Sequence, residues 1–174
     1  MNDVLRPFLR RFVLAFFDDI LIFSASWADH LRHLRAVFVV LQQHRLFVKR
    51  SKCAFGERSI AYLGHVISDA GVVMDPAKVQ AVSDWPQPRS ARAVRGFLGL
   101  AGYYRKFVHD YGAIAAPLTA LLKDGFSWND DAAAAFQALK AAVTSAPVLA
   151  LPDFTRPFVV ECDASTHGFR AVLI

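Results

Sequence analysis

The sequence has very little cysteine and no long apolar run. Its two cysteines, Cys53 and Cys162, lie 109 positions apart in a chain of 174 residues. This spacing excludes a disulfide framework of the kind that staples small secreted domains, and it fits a reducing compartment. The longest apolar stretches, such as residues 12–17, are far shorter than the roughly 20 residues that a membrane-spanning helix needs. Asp3 stands near the start and no continuous apolar segment follows it, so we expect no secretory signal.

Charged residues are also scarce, at 20% of the chain, whereas 55% of the residues are hydrophobic. This composition excludes intrinsic disorder and is sufficient for a buried core. Acidic residues are fewer than basic residues in the range 1–109, which holds 16 lysines and arginines and 8 acids, a net charge of +8. Residues 110–174 carry a net charge of −3. The basic part predicts either a polyanionic partner or a solvated basic surface without a partner.

The start of the chain predicts a hairpin followed by a helix. Residues 12–24 contain two apolar runs that meet at Asp18-Asp19, as two β-strands do. Ser26 is placed to cap a helix, with Asp29 three positions on as its capping partner. The buried stripe of this helix is predicted to consist of Leu31, Leu34, Phe38 and Leu41.

In the rest of the chain a β-rich part is followed by a run of helices and then by a new β-rich segment, which predicts an α+β fold. Residues 61–74 read as two β-rich runs around a glycine-containing hairpin loop at residues 69–71. The other predicted elements are a strand at 46–49, helices from Asp75-Pro76, from Ser90 to about Phe107, at 114–123 and at 130–144, and strands at 158–163 and 170–174.

Asp18 and Asp19 form the sharpest chemical signal, because two adjacent carboxylates lie within an apolar hairpin. Two neighbouring carboxylates repel each other, and burying them unpaired is costly. A solvated turn would relieve the repulsion, although Asp-Asp lacks the glycine that two-residue turns prefer. A divalent cation at the tip would also relieve it, since Mg²⁺ is held by one or two carboxylates together with substrate phosphates.

A second signal is the predicted helix after Ser90, in which glycines recur every three residues at Gly96, Gly99 and Gly102. Each glycine costs roughly 1 kcal/mol relative to alanine in a helix interior. The stripe lets another backbone approach closely, either a packed helix, which is the simpler interpretation, or a nucleic-acid duplex whose phosphates the flanking basic residues would neutralise. Those basic residues are Arg92, Arg95, Arg105 and Lys106.

Other candidates carry weaker signals. His30 and His33 stand three residues apart on a predicted helix, but no further ligand lies at matching spacing, so we expect solvated surface histidines. Tyr103 and Tyr104 either stack on bases or pack, and one of the two is predicted to be core because neighbours on a helix face different directions. Asp163, at the end of an apolar strand, would be a metal ligand or an ordinary strand-end acid.

These motifs fall in a familiar order. Ten blocks, among them FFDD at 16–19, YLGHVIS at 62–68, RGFLGLAGYYRKF at 95–107 and VVECDAS at 159–165, follow one another along the chain. The sequence closely resembles the reverse transcriptase of Ty3/gypsy-type LTR retrotransposons over essentially its whole length. The resemblance implies four segments. Residues 1–75 would be the later part of the polymerase palm with its primer-grip-like hairpin, and 76–111 would be thumb-like helices. Residues 112–152 would be the connection, and 153–174 would be the start of an RNase H-like domain.

The resemblance also implies roles for particular residues. Asp18 and Asp19 would be catalytic and would hold Mg²⁺, or Mn²⁺ in its place, and Asp163 would be the first metal ligand of the RNase H site. The YLGHVIS hairpin would grip the primer terminus, and the thumb helix would track an RNA–DNA or DNA template–primer duplex, with dNTP as the substrate of the parent enzyme. The implied nucleic-acid contacts are Tyr62, Leu63, Gly64, His65, Arg92, Arg95, Gly96, Gly99, Tyr103, Arg105 and Lys106.

The chain also departs from the family pattern. Asp3 is the only acid before the Asp18-Asp19 pair, and only 11 residues follow Asp163. Arg170 stands where the family usually has glycine, in what we expect to be a turn. We therefore expect a fragment that is inactive alone as a polymerase or an RNase H and is located inside the cell, in the cytoplasm, a virus-like particle or the nucleus. The alternatives are a non-catalytic nucleic-acid-binding module and a decayed fragment without function.

Overall fold

The structure is a computed structural model that describes residues 1–123, 126–149, 157, 159–165 and 168–173. Its strands are β1 (Val13–Phe16), β2 (Asp19–Ile22), β3 (Ser59–Tyr62), β4 (His65–Ser68), β5 (Gly71–Met74), β6 (Val160–Ser165) and β7 (Gly168–Leu173). Its α-helices are α1 (Trp27–Gln43), α2 (Pro76–Ser83), α3 (Ala91–Tyr103), α4 (Tyr111–Ala120) and α5 (Asp130–Thr144). Within the described residues the strands form three antiparallel sheets, β1-β2, β3-β4-β5 and β6-β7. This combination of helices and small sheets confirms the predicted α+β class.

Strands β1 and β2 form the predicted hairpin, but its turn lies one residue earlier than predicted. Phe16 pairs with Asp19, which leaves Phe17 and Asp18 as the two turn residues. The favoured two-residue turns need a positive φ at their first central position, and Phe17 supplies it with φ +52°. Asp19 therefore begins β2, and only Asp18 lies in the turn itself.

Helix α1 begins after Ser26, as predicted, and the Ser26 hydroxyl accepts a hydrogen bond from the third helical backbone N–H at 3.1 Å. The predicted buried stripe is wrong in part, because Leu31 and Phe38 are 51% and 40% exposed. The face that is buried packs against the N-terminal residues and β1. The smaller hydrophobic core formed there consists of Leu5, Val13, Val37 and Leu41.

The segment after α1 is irregular. The predicted strand at 46–49 is absent, and Phe47 within it is almost fully exposed. A strand needs a neighbour with which to exchange backbone hydrogen bonds, and no described strand pairs with this segment. An apolar sequence pattern alone was therefore insufficient to specify a strand here.

Residues 59–74 form three strands where the sequence predicted two β-rich runs. The additional turn lies at Leu63-Gly64, between β3 and β4. The second turn consists of Asp69 and Ala70, and Gly71 already belongs to β5. This meander brings the Leu63-Gly64 turn to the edge of the sheet that faces the helices.

Helices α2 to α5 enclose the larger hydrophobic core. Their caps are as predicted for α2 and α5, where Asp75 and Asn129 accept hydrogen bonds from backbone N–H groups. Helix α3 ends at Tyr103, earlier than predicted, and a 3₁₀ turn at Arg105–Phe107 follows it. No helix in the described part of the chain combines the length and apolarity that crossing a bilayer requires. The fully buried side chains of this core include Val82, Val94, Phe97, Leu118 and Leu139.

The chain returns after α5 to the edge of β5. The Val72 N–H donates to the Leu149 carbonyl at 2.8 Å, and the Leu149 N–H donates to the Val72 carbonyl at 2.9 Å. Gly71 allows this approach: it has φ +129°, and a Cβ there would clash with the Leu149 carbonyl oxygen and lie 3.0 Å from a Val148 methyl. Gly71 is thus required for the contact that ties the segment after α5 to the sheet.

We predict that Gly71→Ala destabilises the chain by at least about 2 kcal/mol, since it combines a strained φ with a backbone clash. Chemical denaturation would measure the free energy of unfolding. Gly112→Ala is the matched control, because a Cβ there meets nothing within 4 Å and lies in helix α4. The control should gain up to about 1 kcal/mol, and equal behaviour of the two variants would contradict the prediction.

Candidate functional site

The two acids of the FFDD motif lie at the tip of the β1–β2 hairpin, and both are exposed. Phe17, immediately before them, has the left-handed φ of +52°. This region is sterically unfavourable for a bulky side chain and costs of the order of 1–3 kcal/mol. The strained turn presents Asp18 and Asp19 to solvent as two adjacent carboxylates.

The acidic tip fits part of a magnesium site. Mg²⁺ prefers oxygen ligands and is usually held by one or two carboxylates, with water and phosphate completing its shell, and Asp18 and Asp19 supply two carboxylates. Among the described residues no three His, Cys, Asp or Glu side chains come together as a metal-binding group. Asp3, the only earlier acid, forms an ion pair with Arg6 at 3.3 Å. Metal binding by Asp18 and Asp19 stays a prediction.

Tyr62 connects the acidic tip to the three-stranded sheet. Its hydroxyl lies 3.5 Å from the backbone carbonyl of Asp19, at the limit of a hydrogen bond. Burial raises the pKa of the Tyr62 hydroxyl, and the negative charge of Asp19 adds to the shift. The end of β3 therefore lies directly beside the start of β2, although 43 positions separate the two residues.

The Leu63-Gly64 turn next to Tyr62 is strained and densely hydrogen-bonded. Both residues have left-handed φ values, +49° and +70°. The Leu63 carbonyl lies 2.6 Å from the donating Tyr103 hydroxyl and 2.7 Å from His65 Nδ1. The Gly64 carbonyl accepts the Tyr104 hydroxyl at 2.7 Å and the Asp75 N–H at 3.1 Å. Each carbonyl of the turn therefore has two donors.

His65 is the buried histidine of the site, with 8% of its surface exposed. Since the Leu63 carbonyl can only accept, Nδ1 carries the proton, and Nε2 is buried without a hydrogen-bond partner. The surrounding rings are those of Tyr103, Tyr104 and Phe107. Burial lowers the His65 pKa, the charge of Lys106 lowers it further, and the bond to the Leu63 carbonyl works against both. The neutral imidazole is thus the favoured form.

One face of α3 is an exposed stripe of glycine and arginine. The implied nucleic-acid contacts on this face are all exposed, and the basic pair on the following 3₁₀ turn is exposed as well. A Cβ at Gly99 would meet nothing within 4 Å, and one at Gly96 would touch only the Trp85 ring, at 3.5 Å. The glycine–arginine stripe consists of Arg92, Arg95, Gly96 and Gly99, and the exposed residues that follow it are Tyr103, Arg105 and Lys106.

This exposure tests the simpler interpretation of the glycines, close packing of a second helix. That interpretation is wrong for Gly96 and Gly99, because no helix in the described part of the chain covers them, whereas the duplex interpretation stays a prediction. Gly102 differs, since a Cβ there would lie 3.3 Å from the Tyr111 hydroxyl. Two helix-weakening glycines on an open face leave room for an external backbone to approach.

The expectation that His30 and His33 are solvated surface histidines is wrong. Both are half-buried, and their Nδ1 atoms lie 3.3 and 2.7 Å from the Ser24 hydroxyl. His33 also stacks on Phe12, with ring centroids 3.8 Å apart. The sequence pattern missed these contacts because Phe12 and Ser24 lie on the hairpin and not on the helix.

The prediction that one of the two tyrosines is core is confirmed, because Tyr104 is 1% exposed and Tyr103 is 52% exposed. No sequence pattern predicted that both hydroxyls would contact one turn. The only hint was the tyrosine doublet itself, near the end of a predicted helix.

In the segment that the resemblance implies as RNase H-like, the structure describes the pairing of β6 with β7. Asp163 lies in β6 opposite Arg170 in β7, so Arg170 belongs to a strand, as the predicted strand at 170–174 has it, and not to the turn in which it was also expected. The side chain of Asp163 lies outside the described part of the structure. Its assignment as a metal ligand stays a prediction.

The chain is similar to known proteins at both ends and over its whole length. Residues 1–67 match the family described as reverse transcriptase (RNA-dependent DNA polymerase), and residues 128–174 match the RNase H-like domain found in reverse transcriptase. It is 54% identical over 134 residues to an uncharacterized mitochondrial protein of Arabidopsis thaliana, covering 75% of this chain and 85% of that protein. The chain therefore belongs to the reverse transcriptase family.

More specifically, it corresponds to a reverse transcriptase and RNase H segment of retrotransposon Pol polyproteins. Over 99% of its length it is 40% identical to the Pol polyprotein from transposon 297 and 37% identical to that from transposon gypsy, both of Drosophila melanogaster. It spans only 17% and 18% of those polyproteins. The fold matches a foamy viral protease-reverse transcriptase solved in complex with double-stranded DNA, with a TM-score of 0.85, 22% identity and coverage of 98% of this chain and 33% of that one.

The buried neutral His65 predicts a pH dependence of stability. A histidine whose pKa is lowered in the folded state stabilises the fold above its unfolded pKa of about 6.5, and this contribution is lost as the pH falls through the lowered folded value. We therefore expect the free energy of unfolding to decrease below about pH 6.5, and to decrease less in His65→Phe. Chemical denaturation at pH 7.5 and 5.5 measures the difference.

The matched control is His44→Phe, which places the same substitution at an exposed histidine. It should retain the pH dependence of the unmodified chain. An unchanged pH dependence in His65→Phe would contradict the role assigned to His65.

Proposed function

We propose that this chain is the part of a reverse transcriptase that holds the template–primer duplex and presents the primer end to the acidic hairpin. The observation that carries the proposal is a continuous series of contacts. The exposed glycine–arginine stripe of α3 is followed by Tyr103, which bonds to the Leu63-Gly64 turn, and Tyr62 beside that turn reaches Asp19.

Each part of this series has a chemical role. The open face at Gly96 and Gly99 admits a sugar–phosphate backbone, and the arginines beside it neutralise phosphates. The foamy viral relatives of similar fold were solved in complex with double-stranded DNA and with an RNA/DNA hybrid. We infer the same class of partner for this chain, an RNA–DNA or DNA duplex, and dNTP as the substrate of the whole enzyme.

The proposal assigns segments to the parts of that enzyme. Residues 1–75 belong to the palm, with β3 and β4 as the primer grip, and residues 76–111 form the thumb. Residues 112–152 form the connection, and 153–174 begin the RNase H-like domain, with Asp163 as its metal ligand. The two hydrophobic cores support a division between the N-terminal part of the palm and the helices, since one core is formed by the N-terminal residues, β1 and α1 and the other by α2 to α5 with Met74. We place the protein inside the cell.

Asp18 and Asp19 are proposed as the catalytic acids, with Asp18 in the turn and Asp19 at the first ladder position. They would hold Mg²⁺, which when bound activates the primer hydroxyl and stabilises the leaving pyrophosphate. The chain itself presents the two carboxylates and orients the primer terminus. Because no third ligand joins them within the described residues, we infer that the chain alone does not extend a primer.

We predict that Arg92→Ala with Arg95→Ala weakens duplex binding and reduces the slope of log affinity against log salt by about 2, since each neutralised phosphate contributes about 0.9. Fluorescence anisotropy of a labelled RNA–DNA primer–template, across a salt series, measures both. The two arginines are exposed and lie three residues apart on α3.

The matched control is Arg32→Ala with Arg35→Ala, which removes the same charge at the same spacing from α1. The control should keep more of the salt dependence than the α3 variant. An equal loss in both variants, or no saturable binding by the unmodified folded chain, would refute the proposed interface.

For catalysis we predict no Mg²⁺-dependent primer extension by the purified chain. A gel assay with a recessed primer, template and dNTPs tests this, and Asp18→Asn serves as the paired variant. Extension by the unmodified chain that Asp18→Asn abolishes would show that the acidic tip is complete without further ligands.

A further inference from the structure

Two consecutive tyrosines contact two consecutive carbonyls across a gap of 40 positions. The Tyr103 hydroxyl donates to the Leu63 carbonyl at 2.6 Å, and the Tyr104 hydroxyl donates to the Gly64 carbonyl at 2.7 Å. We call this pair of bonds the tyrosine clamp. It joins the end of α3 to the turn between β3 and β4.

The end of a helix makes the clamp possible. Within a helix, neighbouring side chains diverge by about 100° and do not reach one target together. Tyr104 is the C-cap residue, with φ −97° and ψ 12°, and its ring lies at 88° to the ring of Tyr103 with centroids 5.0 Å apart. One hydroxyl therefore reaches the turn from the exposed side and the other from the core side.

The turn needs such support. Leu63 has φ +49°, a conformation that is unfavourable for a leucine and persists only where the surroundings determine it. A Cβ at Gly64 would lie 3.1 Å from the Tyr104 hydroxyl, so the contact is close. A tyrosine hydroxyl is protonated and able to donate at neutral pH, and burial raises the pKa of Tyr104 to about 12, which extends this state to higher pH.

We propose that Tyr103 and Tyr104 are positioning residues that fix the Leu63-Gly64 turn relative to the duplex-holding face of α3. The inference rests on the proposed function and extends it. A duplex seated on the glycine–arginine stripe then meets the turn at a constant place, and its primer end is directed towards the hairpin tip that Tyr62 contacts. Tyr103 serves here as a hydrogen-bond donor to the protein and not as a platform for base stacking.

The test uses a double variant that combines Tyr103→Phe and Tyr104→Phe. It is compared with the single variant Tyr111→Phe. Tyr111 is the matched control, because its hydroxyl points to the Leu98 carbonyl of α3 at 3.4 Å and not to the turn. Phenylalanine keeps the rings and removes only the hydroxyls. Circular dichroism establishes that all the variants remain folded.

Hydrogen exchange of residues 59–68 in the free chain is the first readout. Loss of two hydrogen bonds should speed the exchange of the β3–β4 hairpin about five- to thirtyfold in the double variant. Tyr111→Phe should leave it unchanged. Equal exchange in the double variant and the unmodified chain, or an equal increase in the control, would overturn the clamp.

The second readout is the preference for a primer end. Anisotropy compares a recessed primer–template with the same duplex closed by loops at both ends. We expect the unmodified chain and Tyr111→Phe to prefer the recessed end, and the double variant to lose this preference while it still binds duplex. If the unmodified chain shows no preference for the recessed end, or if the double variant keeps that preference, the positioning role of the clamp is overturned and the proposed function is not. Failure of the unmodified chain to bind either duplex would overturn the proposed function, and the positioning role with it.

Discussion

The hydrogen bonds between the end of α3 and the Leu63-Gly64 turn are the constraint on which the arrangement of the site depends. Backbone carbonyls withdrawn from water need donors, and each of these two has two. The donors come from the β3–β4 hairpin itself, from the residue that caps α2 and from the end of α3. The turn is therefore held by the helical part of the chain, and its two positive φ values are those that a two-residue hairpin turn requires.

The two hydrophobic cores differ in how they support the site. Among the described residues, sixteen are buried in the larger core around α2 to α5, which orients α3 with its glycine–arginine stripe outward. Four of the described residues are buried in the smaller core, which supports the β1–β2 hairpin. Tyr62 links the two parts by its contact with the Asp19 carbonyl. The acidic tip thus rests on the weaker core, whereas the proposed duplex surface rests on the stronger one.

Much of the fold was predictable because its signals are local. Ser26, Asp75, Ser90 and Asn129 cap the helices that they were predicted to cap, since capping depends only on the next three residues. The errors lie where a partner distant in sequence decides. Residues 46–49 have no described strand beside them, and the buried face of α1 is determined by Val13 and Leu5. One error is local: the first hairpin turn lies one residue earlier than predicted, because Phe17 and not a glycine adopts the positive φ.

The family, the α+β class, the acidic pair and the basic glycine-bearing helix could be recognised in the sequence, because they are properties of residue type and spacing. The folded chain adds that no described helix covers Gly96 and Gly99, that His30 and His33 lie beside the Ser24 hydroxyl, and that Tyr103 and Tyr104 meet the carbonyls of one turn. The tyrosine contacts join segments 40 positions apart, and the histidine contacts join α1 to a residue before it, 6 and 9 positions away. Both depend on how one element packs against another, and the periodicity of a single helix or strand does not encode that packing.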